Sequence, residues 1–342
     1  QAILEGLMMR GSRSIAIAIR KPDGNIHLSV APLKAPGAWK KIPILRGVVA
    51  FVDSLVMGTE NLFYGADLLE KWESEKESKA ADDNETQEVN AKKQNKKSEK
   101  KSDGLSKGAI YLSAFLAICM TVGLFILLPT FVLSLISKAG VTNVILLNLI
   151  EGIIRIIIFI GYVWVCTFLD DIKRTFEYHG AEHKTIHCFE NGLELTPENA
   201  QSFYTLHPRC GTSFLMFVMI ISLLVFSLFG WPDLKTRLIT RLIFIPVIAG
   251  ISYEVLQFTG RHDNKFVRIM SLPGIMLQKL TTSEPDLEQL EVAIVAMKAV
   301  LPSHENPELP VDTWVGEVLK DGSLVKNEKE TCELIEKRAK KK

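Results

Sequence analysis

Histidine and cysteine are scarce in this sequence, and its charges nearly cancel. Among 342 residues there are seven histidines and five cysteines, and the formal net charge is +1. A balance so close to neutral gives no global attraction to a polyanion, so no nucleic-acid partner is expected. Cys119, Cys166, Cys188, Cys210 and Cys332 are scattered, and two of them fall inside apolar runs. They suggest no disulfide framework. The visible N-terminus carries no signal-peptide pattern, and a chain beginning at Gln1 implies that a native start has been trimmed.

Charge is also missing locally. Thirty residues between Lys107 and Lys138 carry none, and twenty-three between Arg209 and Asp233 carry none. About twenty apolar helical residues, rising roughly 1.5 Å each, cross a bilayer. Residues 141–169 are interrupted by charge only at Glu151 and Arg155, and residues 238–260 only at Arg241 and Glu254. Four spans are therefore expected, near 108–136, 142–169, 211–230 and 237–258. Glu151 and Arg155 stand four apart and share a helix face, which predicts an intramembrane pair.

Seven basic residues lie between Lys92 and Lys107, and Arg261, Lys265 and Arg268 follow the last span. The two short loops carry only Lys138 and Lys235. The positive-inside rule then places both termini, and the 170–210 loop, in the cytoplasm.

The expected fold class is mainly α: a polytopic membrane protein with a small cytoplasmic α+β region. Residues 1–70 read as a β-hairpin over 14–30, turning at Pro22-Asp23-Gly24, followed by an amphipathic helix over 42–70. The first strand alternates Ile with Ala, so it can be buried on both faces. In the helix, Arg46, Asp53, Glu60 and Asp67 recur every seven residues as a narrow polar stripe. That pattern suits an interfacial or bundle-packed helix better than a fifth span. Residues 71–107, acidic then basic and almost without large apolar side chains, read as a disordered linker. Four spans with a histidine-rich loop fill 108–260. Residues 170–191 read as a helix continuing the second span, ended by Asn191-Gly192. Thr196-Pro197-Glu198 starts a short one. A cytoplasmic helical segment follows over 261–302, with a strong helix at 281–301 whose stripe is Leu287, Leu290, Ile294, Met297 and Leu301. The tail from 303 reads as polar and mobile, with Trp314, Val315 and Val318 able to dock.

The few histidines are not spread evenly. "HGAEHKTIH", residues 179–187, holds three of them, and His207 follows. On a helix, His179, Glu182 and His183 share one face, and His187 lies one turn further along it. Two imidazoles one turn apart can bind one Zn²⁺, and a neighbouring carboxylate can act as general base. This is the H-x-x-E-H order of inverted zinc proteases. The His-Pro-Arg-Cys segment adds His207 and Cys210 as ligands. Glu254, near the cytoplasmic end of the fourth span, is an alternative ligand that needs a partner, with Arg209 or a metal expected. A metal-free reading has His179 and His183 hydrogen-bonded between loop and membrane, with Glu182 and Glu190 as partners.

Six segments resemble the YqhQ-like bacterial integral-membrane proteins. They are "QAILEGLMMRG" (1–11), "LRGVVAFVDSLVMG" (45–58), "YHGAEHKTIHCFE" (178–190), "LHPRCGTSF" (206–214), "IAGISYE" (248–254) and "LTTSEPDLEQLEVAIVAMKAVL" (280–301). Such proteins are described as of unknown function and as predicted metal-dependent enzymes. The resemblance implies a multi-pass protein of the bacterial cytoplasmic membrane, and it carries a metal expectation onto His179, Glu182, His183, His207 and Cys210.

Three functions fit these residues. The first is a zinc-dependent (or other divalent-metal) hydrolase at the cytoplasmic membrane surface, with Glu182 as base and Arg209 as a clamp on an anionic substrate. The second is a scaffold or assembly factor with a structural metal held by His179, His183, His207 and Cys210. The third is a transporter or channel component, a homo-oligomer in which Glu151, Arg155, Arg241 and Glu254 line a path. Membrane lipids and an unidentified protein are the expected partners.

Overall fold

The computed structural model describes residues 1–33, 41–85, 107–141, 143–229, 234–262, 264–301 and 313–339. The chain is mainly helical, with a small antiparallel β-sheet. Its residues fall into two units, one formed by 1–72, 163–221 and 240–342, the other by 73–162 and 222–239.

In the first unit, strands β1 (Ala2–Ile3), β2 (Gly6–Arg10), β3 (Ser14–Arg20), β4 (Ile26–Pro32), β5 (Trp314–Val318) and β6 (Leu324–Lys326) form one antiparallel sheet in chain order. The hairpin read from the sequence is β3–β4, paired from Ser14↔Pro32 to Arg20↔Ile26. It is the centre of a larger sheet. The expected polar tail instead supplies β5, which pairs with β4 and buries Trp314, Val315 and Val318. It also supplies α11 (Glu328–Ala339). Trp314, Val315 and Val318 dock, as the sequence allows, and they do so as a strand; the pairing leaves no local trace because β4 lies hundreds of residues away.

Both faces of the sheet are covered, as the Ile/Ala alternation predicts. Ala16 and Ala18 lie in the cluster that includes Leu290, Ala293 and Val300 of α10 (Leu287–Val300). Small side chains on that face let a helix approach closely. Ile15, Ile17 and Ile19 point the other way, with Met57, Tyr64, Leu68 and Trp72 of α1 (Leu45–Glu85) packed against them. The hydroxyl of Tyr64 meets His27 Nε2 at 3.0 Å, and burial pushes His27 down to about 4.

α1 runs fifteen residues past the expected start of the linker at 71. Residues 71–85 contain no Gly, Pro or β-branched residue, and Lys, Glu and Ala carry a helix without a core. The rest of that expected linker, 86–106, lies outside the described residues. α10 also starts later than the sequence reading. The chain is extended after α9 (Lys265–Thr281), and Asp286 closes a capping box with Gln289. Leu287 is consequently exposed, while Leu290, Ile294 and Met297 are buried.

In the second unit, α2 (Lys107–Val122), a π-helical turn (Gly123–Leu127) and α3 (Leu128–Lys138) follow one another, and α4 (Val144–Cys166) begins there. The expected pair is present: Arg155 Nη2 donates to Glu151 Oε1 at 2.5 Å.

Among the described residues, three helices are long and apolar enough to cross a membrane: Phe115–Lys138, Val144–Cys166 and Ile239–Arg261. The last lies in α8 (Leu234–Arg261). The remaining expected span, 211–230, contains α7 (Gly211–Ser227), an apolar helix of 17 residues. At about 1.5 Å per residue it falls short of a core about 30 Å thick. The count of four is therefore not established.

Candidate metal centre

His179, His183 and His187 lie on α5 (Asp170–Glu190), and His207 lies between α6 (Pro197–Gln201) and α7. α5 does not continue α4 as expected. Residues 167–169 break the run, and Asp170 and Asp171 open a new helix, where carboxylates favour the N-terminal dipole. Asn191 ends it, followed by Gly192 at φ 69°. Thr196 caps α6, as the sequence predicts.

The segment after α6 folds back along α5 and is fastened side chain to backbone. Lys184 Nζ, almost fully buried, donates to Gln201 O at 2.9 Å and pairs with Glu284 at 2.8 Å. The stretch after α9 lies on α5 at Gly180. A Cβ there would stand 2.0 Å from Ser283 O, so only glycine permits the approach. That approach brings the Thr281 carbonyl to His179.

Two groups of ligand atoms result. In the first, atoms of His179, His183 and Cys210 all lie within 4.8 Å of one another. His179 Nδ1 sits 2.7 Å from Thr281 O, and His183 Nδ1 sits 2.5 Å from Thr205 O. A carbonyl can only accept, so both Nδ1 atoms carry the proton. Both Nε2 atoms are thereby left with lone pairs, and His179 Nε2 is 3.1 Å from Cys210 Sγ. Carbonyl anchoring of the far ring nitrogen is the arrangement that fixes metal-ligating histidines. Burial holds His179 below its usual value, which keeps it neutral. For Cys210, burial opposes ionisation. A bond from His183, available only when its Nε2 also carries a proton, and the bonds from the Thr212 amide and hydroxyl hold the thiol below its ordinary range. Its place just before the α7 N-terminus acts in the same sense.

The second group is His187, Glu190 and His207. His187 Nε2 donates to Leu206 O at 2.8 Å. His207 Nδ1 accepts from the Arg209 amide at 3.2 Å, so its Nε2 carries the proton and faces Glu190 Oε2 at 3.4 Å. Burial and then the neighbouring His187 push His207 down to about 4. The other Glu190 oxygen takes Arg209 Nη2 at 2.5 Å. The two groups adjoin, with the His183 and His207 rings 5.7 Å apart.

The expected four-ligand set is thus divided: His207 belongs with His187 and Glu190, not with His179, His183 and Cys210. The physical reason is Gln278. Its side-chain amide takes both the His207 amide, at 2.8 Å, and the His207 carbonyl, at 2.9 Å. Glu182 belongs to neither group, and its Oε1 accepts from the Gln1 nitrogen at 2.8 Å. Glu254 is also elsewhere. Both its oxygens are held by Arg46 on α1, and Arg209 pairs with Glu190 instead. Glu190, expected beside His179 and His183, instead pairs with His207 and Arg209, and it repeats the His-x-x-Glu spacing from His187. Nothing local announces Arg46, Gln278 or the Thr281 and Thr205 carbonyls.

The family described as "Protein of unknown function (DUF1385)" matches residues 42–303. The chain belongs to the DUF1385 family. The match takes in both ligand groups and α5 to α10. A curated relative, "Uncharacterized protein YqhQ" of Bacillus subtilis (strain 168), is 37% identical over 309 residues, covering 88% of this chain and 91% of the relative. The YqhQ-like resemblance of the six sequence segments agrees with this membership. No solved structure matches the chain.

Proposed function

We propose that this DUF1385 protein is a metal-dependent hydrolase working at the cytoplasmic surface of the bacterial membrane. The single observation that carries the reading is the pair of carbonyl-anchored rings, His179 and His183, whose free nitrogens converge with Cys210 Sγ. Two imidazoles and a thiolate favour zinc over magnesium or calcium, which take oxygen ligands. Three protein ligands are the number that leaves a tetrahedral metal one open position. When bound, the metal supplies Lewis acidity at that point. The chain's own residues do the rest. Thr281 and Thr205 orient the rings, and Cys210 contributes negative charge. The Glu190–His207 pair holds a proton at Nε2 beside the ligand group. Arg209, about half exposed, is placed to meet an anionic substrate. Glu182, the base expected from the sequence, lies outside both ligand groups.

The membrane side rests on the basic residues between Lys92 and Lys107 and on the sparse short loops, which support four spans with α7 as the third. Both termini and residues 170–210 are then cytoplasmic, and membrane lipids are the immediate partners.

A second reading has its own observation. Lys184, His187 and Gln278 fasten residues 201–207 without any metal, which suits a scaffold whose site is structural. Cobalt substitution separates the two. In the hydrolase, acetohydroxamate enters the open position and changes the cobalt d–d spectrum. A spectrum indifferent to hydroxamate would mean a closed, structural site.

A further inference from the structure

The outer face of α9 has no role in the site. At 100° per residue, its buried residues Val267, Ser271, Gly274, Leu277, Gln278 and Thr281 form one arc. On nearly the opposite arc stand Phe266, Ile269, Leu272 and Met276, each between 50% and 66% exposed. Lys265, Arg268 and Lys279 are exposed beside them, and no acidic residue occurs from 264 to 281. Four large apolar side chains on one face, with Lys265, Arg268 and Lys279 beside them and the nearest acidic residue, Asp263, ahead of the helix in sequence, make an unusual face to present to water.

The position of α9 in the chain says what covers it. α8 ends at Arg261, the last residue of a stretch apolar enough to cross a membrane, and α9 starts at Lys265. Four residues reach at most about 14 Å. The start of α9 is therefore tethered within or just beside the headgroup layer. A helix with one apolar face and basic flanks, held at that depth, has the pattern of an in-plane interfacial helix. Positive flanks match the anionic phosphates of the leaflet.

We propose that α9 lies in the plane of the membrane surface, with Phe266, Ile269, Leu272 and Met276 between phospholipid headgroups and Lys265, Arg268 and Lys279 against anionic phosphates. The buried face of the same helix holds His207 through Gln278 and His179 through Thr281. The ligand groups then sit about one helix diameter, roughly 10 Å, from the lipid surface. This goes beyond the hydrolase reading and does not depend on it, but it does rest on α8 being a span.

The test places an environment-sensitive fluorescent amino acid, one site at a time, at 269, 276, 247 (mid-α8) and 288 (exposed on α10) in the full chain. The protein is reconstituted in vesicles of phosphatidylcholine, alone or mixed with phosphatidylglycerol, carrying nitroxide-labelled lipids. Probes at 269 and 276 should be quenched more by a nitroxide near the headgroup than by one at the chain end. The probe at 247 should show the reverse, and the one at 288 little quenching. Adding phosphatidylglycerol should strengthen quenching at 269, and Lys265→Glu with Arg268→Glu should remove that gain. A quenched 247 with unquenched 269 and 276 would overturn the interfacial helix alone. The same holds if those two probes are blue-shifted yet shielded from lipid, which would put a protein on the face. Quenching at 269 that ignores phosphatidylglycerol would overturn the anionic contact. An unquenched 247 would take down the span and this inference together.

Discussion

Cys210 and His207 are three residues apart, yet they serve different groups. Gln278 holds the His207 backbone, and the tautomers agree with the division: carbonyls turn the lone pairs of His179 and His183 toward Cys210, while the Arg209 amide turns the proton of His207 toward Glu190. Two variants separate this arrangement from a single four-ligand site. His183→Ala should lose metal by more than the roughly 10–100-fold that removal of an outer partner costs. His207→Ala should retain it to within that range. Equal losses, measured by competition with a chelating dye, would restore the four-ligand site. A different histidine sets part of the acid sensitivity. His27 falls from 6.5 to about 4 because it is buried beside Tyr64 and near Lys21 and Lys71. A depressed histidine is neutral in the fold and protonated when unfolded. Its contribution is complete above about pH 6.5 and is lost as pH falls toward 4, on the order of 3 kcal/mol in all. The melting temperature of His27→Gln should therefore drop less between pH 6.5 and 4 than that of the parent. Parallel pH profiles would show that burial of His27 is not the cause.

At the scale of elements, Gly180 couples α5 to the stretch after α9. Gly180→Ala should push Ser283 away and with it the Thr281 carbonyl, costing about 1–3 kcal/mol as overpacking does. It should also weaken metal binding roughly 10-fold or more through the loosened His179 ring. A variant with unchanged stability and affinity would mean that the backbone yields there at no cost. Legibility followed distance along the chain. The β3–β4 hairpin, the Thr196 cap, the Asn191-Gly192 stop and the Glu151–Arg155 pair all depend on neighbours, and the sequence shows them. β5 pairs with a strand nearly 300 residues earlier, and Glu254 finds Arg46 208 residues away. Neither leaves a local trace. The helix over 71–85 was hidden for another reason: absence of a core was read as absence of structure, although its residues favour helix. In the site, one face of α5 was legible, but the division of its ligands was not. Gln278 and two backbone carbonyls make that division from other elements.

At the scale of the molecule, apolar length and charge asymmetry do most of the arguing. A cysteine introduced at exposed Glu198, between α5 and α7, should be labelled by a membrane-impermeant maleimide only after cells are opened. Labelling in intact cells would reverse the topology and remove the site from the cytoplasmic face. The central claim is that the scarce histidines are gathered to hold a metal, and it is tested most directly by elemental analysis of the unmutated protein, purified without chelator and without a histidine tag. The account predicts one equivalent of a divalent metal per chain, zinc by the chemistry of its donors, lost on Cys210→Ser or His183→Ala. A folded parent protein with no stoichiometric metal would contradict it, and would leave the histidines as hydrogen-bond partners that close residues 191–210 onto α5.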